Sequence, residues 1–198
     1  DVADPEHGST CARLVGGAVP PASGGRVSWD QEERRRVTRV ALGAVGEDAG
    51  FALAGSGAIR EHGLIDRPTE DVDLFTVQQA QDRFGTSLDR IIAALRAAGH
   101  IVETRRRQDT FAQLTAISPG GRSTDVDLGV DWRGHPPVQL EVGPVLSLED
   151  AVGNKVGASF SRAETRDYLD VDAIRRSGRY SDEELLDLAG KVDAGFDP

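Results

Sequence analysis

The stretch that decides the fold begins Phe51-Ala52-Leu53-Ala54-Gly55-Ser56-Gly57 and continues, after Arg67-Pro68-Thr69-Glu70, into Asp71-Val72-Asp73-Leu74-Phe75. Four apolar residues closed by small turn residues predict a short buried strand over 51–54. Gly55-Ser56-Gly57 predicts a tight turn, and Ala58 to His62 a short helix. Residues 71–75 alternate strictly. Such a strand places Val72 and Leu74 on one face and both aspartates on the other. Asp125-Val126-Asp127-Leu128 repeats the alternation inside a second strand predicted over 123–130.

Working outward, Ser28-Trp29-Asp30-Gln31 reads as a capping box that opens a helix reaching about Val45, with Val37, Val40, Ala41 and Val45 inward. Ser87 to Ala98 carries Leu88, Ile91, Ile92 and Leu95 at helical spacing and stops at Gly99. Strands are predicted over 101–105 and 111–117, with Pro119-Gly120-Gly121 as the hairpin turn into 123–130. Ser147-Leu148-Glu149-Asp150 starts a helix carrying Lys155, and Ser181-Asp182-Glu183-Glu184 caps a last one holding Leu185, Leu186 and Leu188. The order is that of an α/β (α+β) protein: a mixed sheet with flanking helices plus a C-terminal helical part. The expected division is a flexible N-terminal arm over 1–27, a core over 28–143, and a helical subdomain over 144–198.

The 198 residues carry a formal net charge of -10, with 28% charged and 38% hydrophobic residues. This balance suits an ordinary globular chain and excludes a general nucleic-acid coat protein. No apolar run approaches the roughly 20 residues of a membrane-spanning helix. The acidic start, Asp1 to Glu6, has no long apolar stretch after it and predicts no secretory signal. The single cysteine, Cys11, excludes a disulfide framework and a cysteine-based zinc site, and fits a cytoplasmic location. Arginines nevertheless cluster at 34–36, 105–107 and 175–176, beside aspartates at 71–73, 125–131 and 167–172. Acidic positions flanked by basic ones suit a cation-dependent enzyme with a polyanionic substrate.

Three features carry chemistry. Gly55-Ser56 sits between strand and helix, where backbone N–H groups can cradle a phosphate. Asp71 and Asp73 repel each other on one strand face unless a cation bridges them, and hard oxygen ligands suit Mg²⁺. A second strand pointing Asp125 and Asp127 at the same face would complete a two-metal site, the arrangement used for phosphoryl transfer.

Gly55-Ser56 followed by Arg67-Pro68-Thr69-Glu70-Asp71-Val72-Asp73-Leu74 resembles the signature of the polymerase-beta-like nucleotidyltransferases. The form Arg-x-Thr-x-Asp-x-Asp-Leu is similar to the AbiEii/AbiGii branch and its short MenT-type toxins. Lys155, Arg162 and Arg166-Asp167-Tyr168-Leu169-Asp170 follow in that branch's order. The resemblance implies that Gly55 and Ser56 hold the triphosphate, with Arg67 among the nucleotide-binding residues. Asp71, Asp73 and Asp127 would bind Mg²⁺, with Asp125 as the alternate third carboxylate. Lys155 would contact the phosphates, and Arg162, Arg166, Asp167 and Asp170 would complete the far wall. Lys155, Ser159, Arg162 and Arg166 form one helical stripe if the helix is continuous, whereas Ser161 to Glu164 would break it as a fresh capping box. The implied function is that of a toxin adding nucleotides, from CTP, to the 3′ acceptor end of tRNA, restrained by a cognate antitoxin.

Other readings stand beside this one. The same fold could modify a small molecule such as an antibiotic, or only bind. Ala54-Gly55-Ser56-Gly57-Ala58 resembles a serine-hydrolase elbow, but both outer glycines are alanines. A dinucleotide turn lacks its third glycine at Arg60. Arg105 to Arg107 and Arg34 to Arg36 favour a polyanionic acceptor. Phosphorylation of Ser56 would occupy the phosphate cradle, and Thr38, after Arg34 to Arg36, is a second candidate.

Overall fold

The computed structural model describes residues 24–197, with side chains from Asp30 onward. Residues 1–23, most of the expected arm, lie outside the described residues, and 24–27 are helical. Among the described residues one seven-stranded sheet runs in the order β3-β4-β5-β2-β1-β7-β6. Its strands are β1 (Ala52–Leu53), β2 (Asp71–Val77), β3 (Ile101–Arg107), β4 (Phe111–Ile117), β5 (Ser123–Asp131), β6 (Val138–Leu140) and β7 (Gly143–Val145). The pairs β2–β5 and β1–β7 are parallel and the others antiparallel, so the sheet is mixed as expected.

The alternation in β2 sets its two faces. Val72, Leu74 and Thr76 are buried while Asp71, Asp73 and Phe75 are partly exposed. Val126 and Leu128 of β5 and Leu114 of β4 share the buried face through register. Helices α1 (Gly24–Gly43) and α3 (Phe84–Ala97) close that side with Val37, Ala41, Leu88, Ile91 and Leu95. Leu88, Ile91, Ile92 and Leu95 of α3, spaced i, i+3, i+4 and i+7, are all buried, and each contributes about 2 kcal/mol.

Helix α1 begins at Gly24, so Ser28 lies inside it and is not its N-cap. Helix α2 (Gly55–Glu61) likewise starts directly at Gly55, with Ala54 as N-cap, so the predicted turn at 55–57 is the first helical turn. β6 and β7 extend the sheet to residue 145 and were not foreseen; each is only three residues long and carries a glycine or proline neighbour. Pro119-Gly120-Gly121 does form the hairpin, closed by Ser118 N–H to Arg122 O at 2.8 Å.

The C-terminal part comprises α4 (Leu148–Ser161), α5 (Thr165–Arg176) and α6 (Asp182–Val192). Ser147 and Ser181 cap α4 and α6, the latter in a full capping box with Glu184. Gly153 lets α6 lie against α4: a Cβ there would sit 2.6 Å from the Leu188 carbonyl oxygen. The stripe from Lys155 to Arg166 is not one helix. The chain breaks after Ser161, Ala163 adopts a left-handed φ of 53°, and α5 starts after Glu164 without a side-chain cap.

Candidate active site

Register brings the two aspartate strands together. Asp71 pairs with Asp125 and Asp73 with Asp127 on neighbouring parallel strands, which run about 4.8 Å apart. Asp73 also lies directly against Gly55. A Cβ at Gly55 would overlap Asp73 Oδ2, and Gly55 has φ +57°, a conformation side chains rarely adopt. The Ala54 N–H bonds to the Asp73 carbonyl at 2.8 Å and ties the start of α2 to β2.

Burial first, then the charges of Asp71 and Asp127, push the Asp73 carboxyl up to about 7, with Lys155 and Arg162 opposing. Burial also raises Asp127, against a hydrogen bond from Gln113 Nε2 at 3.2 Å. Asp71 faces Arg166 Nη1 at 3.1 Å. Asp125 is more exposed and accepts from Thr115 Oγ1 at 2.7 Å. Of the two β5 carboxylates, Asp127 is therefore the one set beside Asp73.

Among the described residues, no three acidic or histidine side chains enclose a cation as they stand. The donor set nevertheless fits a hard divalent ion. Burial first, and then the charges of Asp71 and Asp127, raise the Asp73 carboxyl, and a cation bound among these carboxylates would offset both costs.

Behind the carboxylates lies a buried ionic network. Ser56 Oγ donates to Asp170 Oδ2 at 2.7 Å and accepts from Lys155 Nζ and Arg67 Nη2, each at 3.1 Å. Arg67 grips Asp170 with two bonds of 2.6 Å. Lys155 Nζ reaches Asp167 at 2.9 Å, and Arg162 holds the same carboxylate at 2.8 and 3.0 Å. Asp167 and Asp170 are both 0% exposed, so these arginine pairs form at buried carboxylates. Burial alone would raise Asp167; the bonds from Arg162 and Lys155 outweigh it and hold its carboxyl down at about 2. Arg162 is raised in turn, first through its bond with Asp167.

Two cavities flank the aspartates. One, of about 330 Å³, is lined by Gly55, Asp73, Phe75, Lys155, Ser161 and Arg162. The other, of about 270 Å³, is lined by Asp71, Arg105, Gln113, Asp125, Asp127 and Arg166. Sequence reasoning did not find Gln113, whose only signal is its place opposite Asp127 on β4.

The hydrolase arrangement is absent among the described residues. Ser56 bonds to no histidine; His62 meets the Leu146 carbonyl at 2.8 Å, His100 meets Glu33 and His135 meets Asp150. Ser56 and Thr38 are both buried. Thr38 Oγ1 donates to the Arg34 carbonyl at 2.9 Å. The guanidinium groups before it are engaged elsewhere: Arg34 with the Glu70 carbonyl, Arg35 with Glu61 and Glu141, and Arg36 with the Ala98 carbonyl.

A mixed sheet bearing paired aspartates beside a Gly-Ser helix start, with a lysine behind them, defines a nucleotidyltransferase. A family model described as the nucleotidyl transferase AbiEii toxin of type IV toxin–antitoxin systems matches residues 39–196, and the chain belongs to that family. Membership implies a nucleotide substrate and an antitoxin partner. JHP933 from Helicobacter pylori is similar in fold, with a TM-score of 0.57 and 19% identity over 83% of this chain and 72% of that one. The nucleotidyltransferase toxin MenT4 of Mycobacterium tuberculosis is similar with a TM-score of 0.57 and 17% identity, over 84% of this chain and 67% of that one. A comparison with curated proteins found no match. No described helix is long and apolar enough to cross a membrane.

Proposed function

We propose that the protein is a cytoplasmic toxin that transfers a nucleotide from a nucleoside triphosphate, CTP by family resemblance, to the 3′-hydroxyl at the acceptor end of tRNA. An extended acceptor end cannot be aminoacylated, and translation stops. The observation that carries the reading is the register of Asp71-x-Asp73 with Asp125-x-Asp127, with one cavity on each side.

The cavity of Gly55, Lys155 and Arg162 supplies cationic donors and takes the triphosphate, with the α-phosphate beside Asp73. The cavity of Asp71 and Asp127 takes the acceptor. In-line attack of the 3′-hydroxyl on the α-phosphate forms the new P–O bond and breaks the bond to pyrophosphate. Asp127 faces the acceptor side and takes up the hydroxyl proton. Lys155 and Arg162, held in place by Asp167, face the departing pyrophosphate. Asp71, Asp73 and Asp127 would hold Mg²⁺, which when bound supplies positive charge to the phosphoryl oxygens and acidifies the attacking hydroxyl.

Incubation with each labelled nucleoside triphosphate, Mg²⁺ and total RNA tests the reading. A labelled band of tRNA size, strongest with CTP, is expected. Label found only on a small molecule would identify an antibiotic-type acceptor instead.

A further inference from the structure

The edge strand β3 contains an irregularity that changes what faces the acceptor cavity. Its pairing with β4 runs Ile101↔Ile117, Glu103↔Thr115 and Thr104↔Leu114, then shifts to Arg106↔Gln113 and Arg107↔Ala112. Arg105 is the extra residue. In a regular strand, neighbours point to opposite faces, so Arg106 would turn toward α3 once Arg105 faced the aspartates. A bulge breaks that rule and leaves two consecutive side chains on one face. Gln113 pairs with Asp127 on β5, so Arg106 shares their face. Arg105 lines the same cavity as Asp71 and Asp127. Arg107, past the bulge, turns to the helix side and grips Asp89 of α3 at 2.6 and 3.1 Å.

Among the described residues, neither arginine on the aspartate face donates a side-chain hydrogen bond. Arg105 Nη2 makes a long, exposed ion pair with Asp125 Oδ1 at 3.7 Å, and with its side chain 59% exposed it keeps its hydrogen-bond donors for a ligand. The Arg106 guanidinium lies over the Phe111 ring, 5.4 Å from its centroid. These two cations offset the repulsion that Asp71, Asp125 and Asp127 would exert on a polyanion, in a chain of net charge -10. Among the described residues β3 is the edge strand of the sheet, so both arginines stand at its rim.

We infer that Arg105 and Arg106, presented together by the β3 bulge, bind backbone phosphates of a single-stranded RNA 3′ end and guide its terminal hydroxyl toward Asp127. Guanidinium groups pair with phosphate oxygens and carry no base information, so this site fixes the class of acceptor, a polynucleotide, without reading its sequence. The assignment rests on the nucleotidyl-transfer reading above.

The test is binding of a fluorescein-labelled single-stranded RNA with a free 3′-hydroxyl to the full chain, followed by anisotropy at stepped salt. Two lost contacts, each worth about 0.7 in the slope of log K against log salt, should make R105A/R106A shallower by about 1.4 and weaken binding about tenfold at low salt. R107A, which breaks a contact on the other face, should leave affinity and slope unchanged. If the double variant melts earlier than wild type, R105E carries the comparison. Equal slopes in wild type and the double variant, an equal effect from R107A, or no binding by wild type would each overturn the assignment. Label transfer to the same RNA is scored in parallel. No transfer defeats the nucleotidyl-transfer reading, whereas transfer with unaltered RNA binding in R105A/R106A defeats only the arginine site.

Discussion

Ser56 and Asp170, 114 positions apart in the chain, meet in a 2.7 Å hydrogen bond behind the paired aspartates. That bond makes the C-terminal helices part of the site. Asp170 also neutralises Arg67 and lies 3.3 Å from Lys155 Nζ. Asp170→Ala strands Arg67, while Lys155 keeps Asp167, and removing one partner of a buried pair costs about 3 kcal/mol. Urea unfolding should show a lower midpoint, with a smaller loss for Asp170→Asn. An unchanged midpoint in Asp170→Ala would mean that the network contributes no stability.

Gly55→Ala should cost about 1–2 kcal/mol through its left-handed φ, and should impair activity more than stability, because the new methyl group displaces the Asp73 carboxylate. Thermal melts and label incorporation on the same preparation check both parts. Full activity would show that Asp73 can sit elsewhere and still work.

Asp73 gives a pH signature. Its folded value, about 7, exceeds the ordinary 3.8, so the native state binds its proton more tightly than the unfolded chain does. This contribution to stability is full below pH 4 and is lost as pH rises toward 7. Asp73→Asn should therefore stabilise the chelator-treated protein at pH 8, by roughly 1–3 kcal/mol, while abolishing transfer. Asp167 acts oppositely: held down at about 2, its contribution is present above pH 4 and is lost as pH falls toward 2. Melting temperatures across pH 3–9, in wild type and Asp73→Asn, separate the two. A flat difference between the proteins would contradict a raised Asp73 carboxyl, whether by burial or by its acidic neighbours.

The two β5 aspartates should differ in effect. Asp127→Asn is expected to lower the transfer rate by at least about a hundredfold, the scale of a lost general base. Asp125→Asn, at a position bonded to Thr115, should retain most of it. Comparable losses in both would make Asp125 a partner in the chemistry.

Much of the site was legible because its signal is local. Alternation puts Asp71 with Asp73 on one face of their strand and Asp125 with Asp127 on one face of theirs; that the strands are neighbours and the faces coincide is shown by their parallel pairing. The break between Lys155 and Arg166 was legible only as an alternative, since Ser161-Arg162-Ala163-Glu164 fits both a helix interior and a cap. β6 and β7 were hidden because three-residue strands beside Pro144 and Gly143 carry no periodicity. Helix α1 starts at Gly24, before the Ser28 that looks like a cap; an N-cap side chain only favours a boundary and does not impose one. The bulge at Arg105 was invisible for a simpler reason. Three consecutive arginines look alike in sequence, and only the pairing with β4 shows that two of them face the aspartates.

The most direct measurement is single-turnover transfer of label from CTP to tRNA by wild type, Asp71→Asn and Asp73→Asn, all shown folded by circular dichroism. The aspartate-strand site predicts a labelled tRNA band with wild type and none with either variant. Undiminished labelling by a folded Asp73→Asn protein would contradict it.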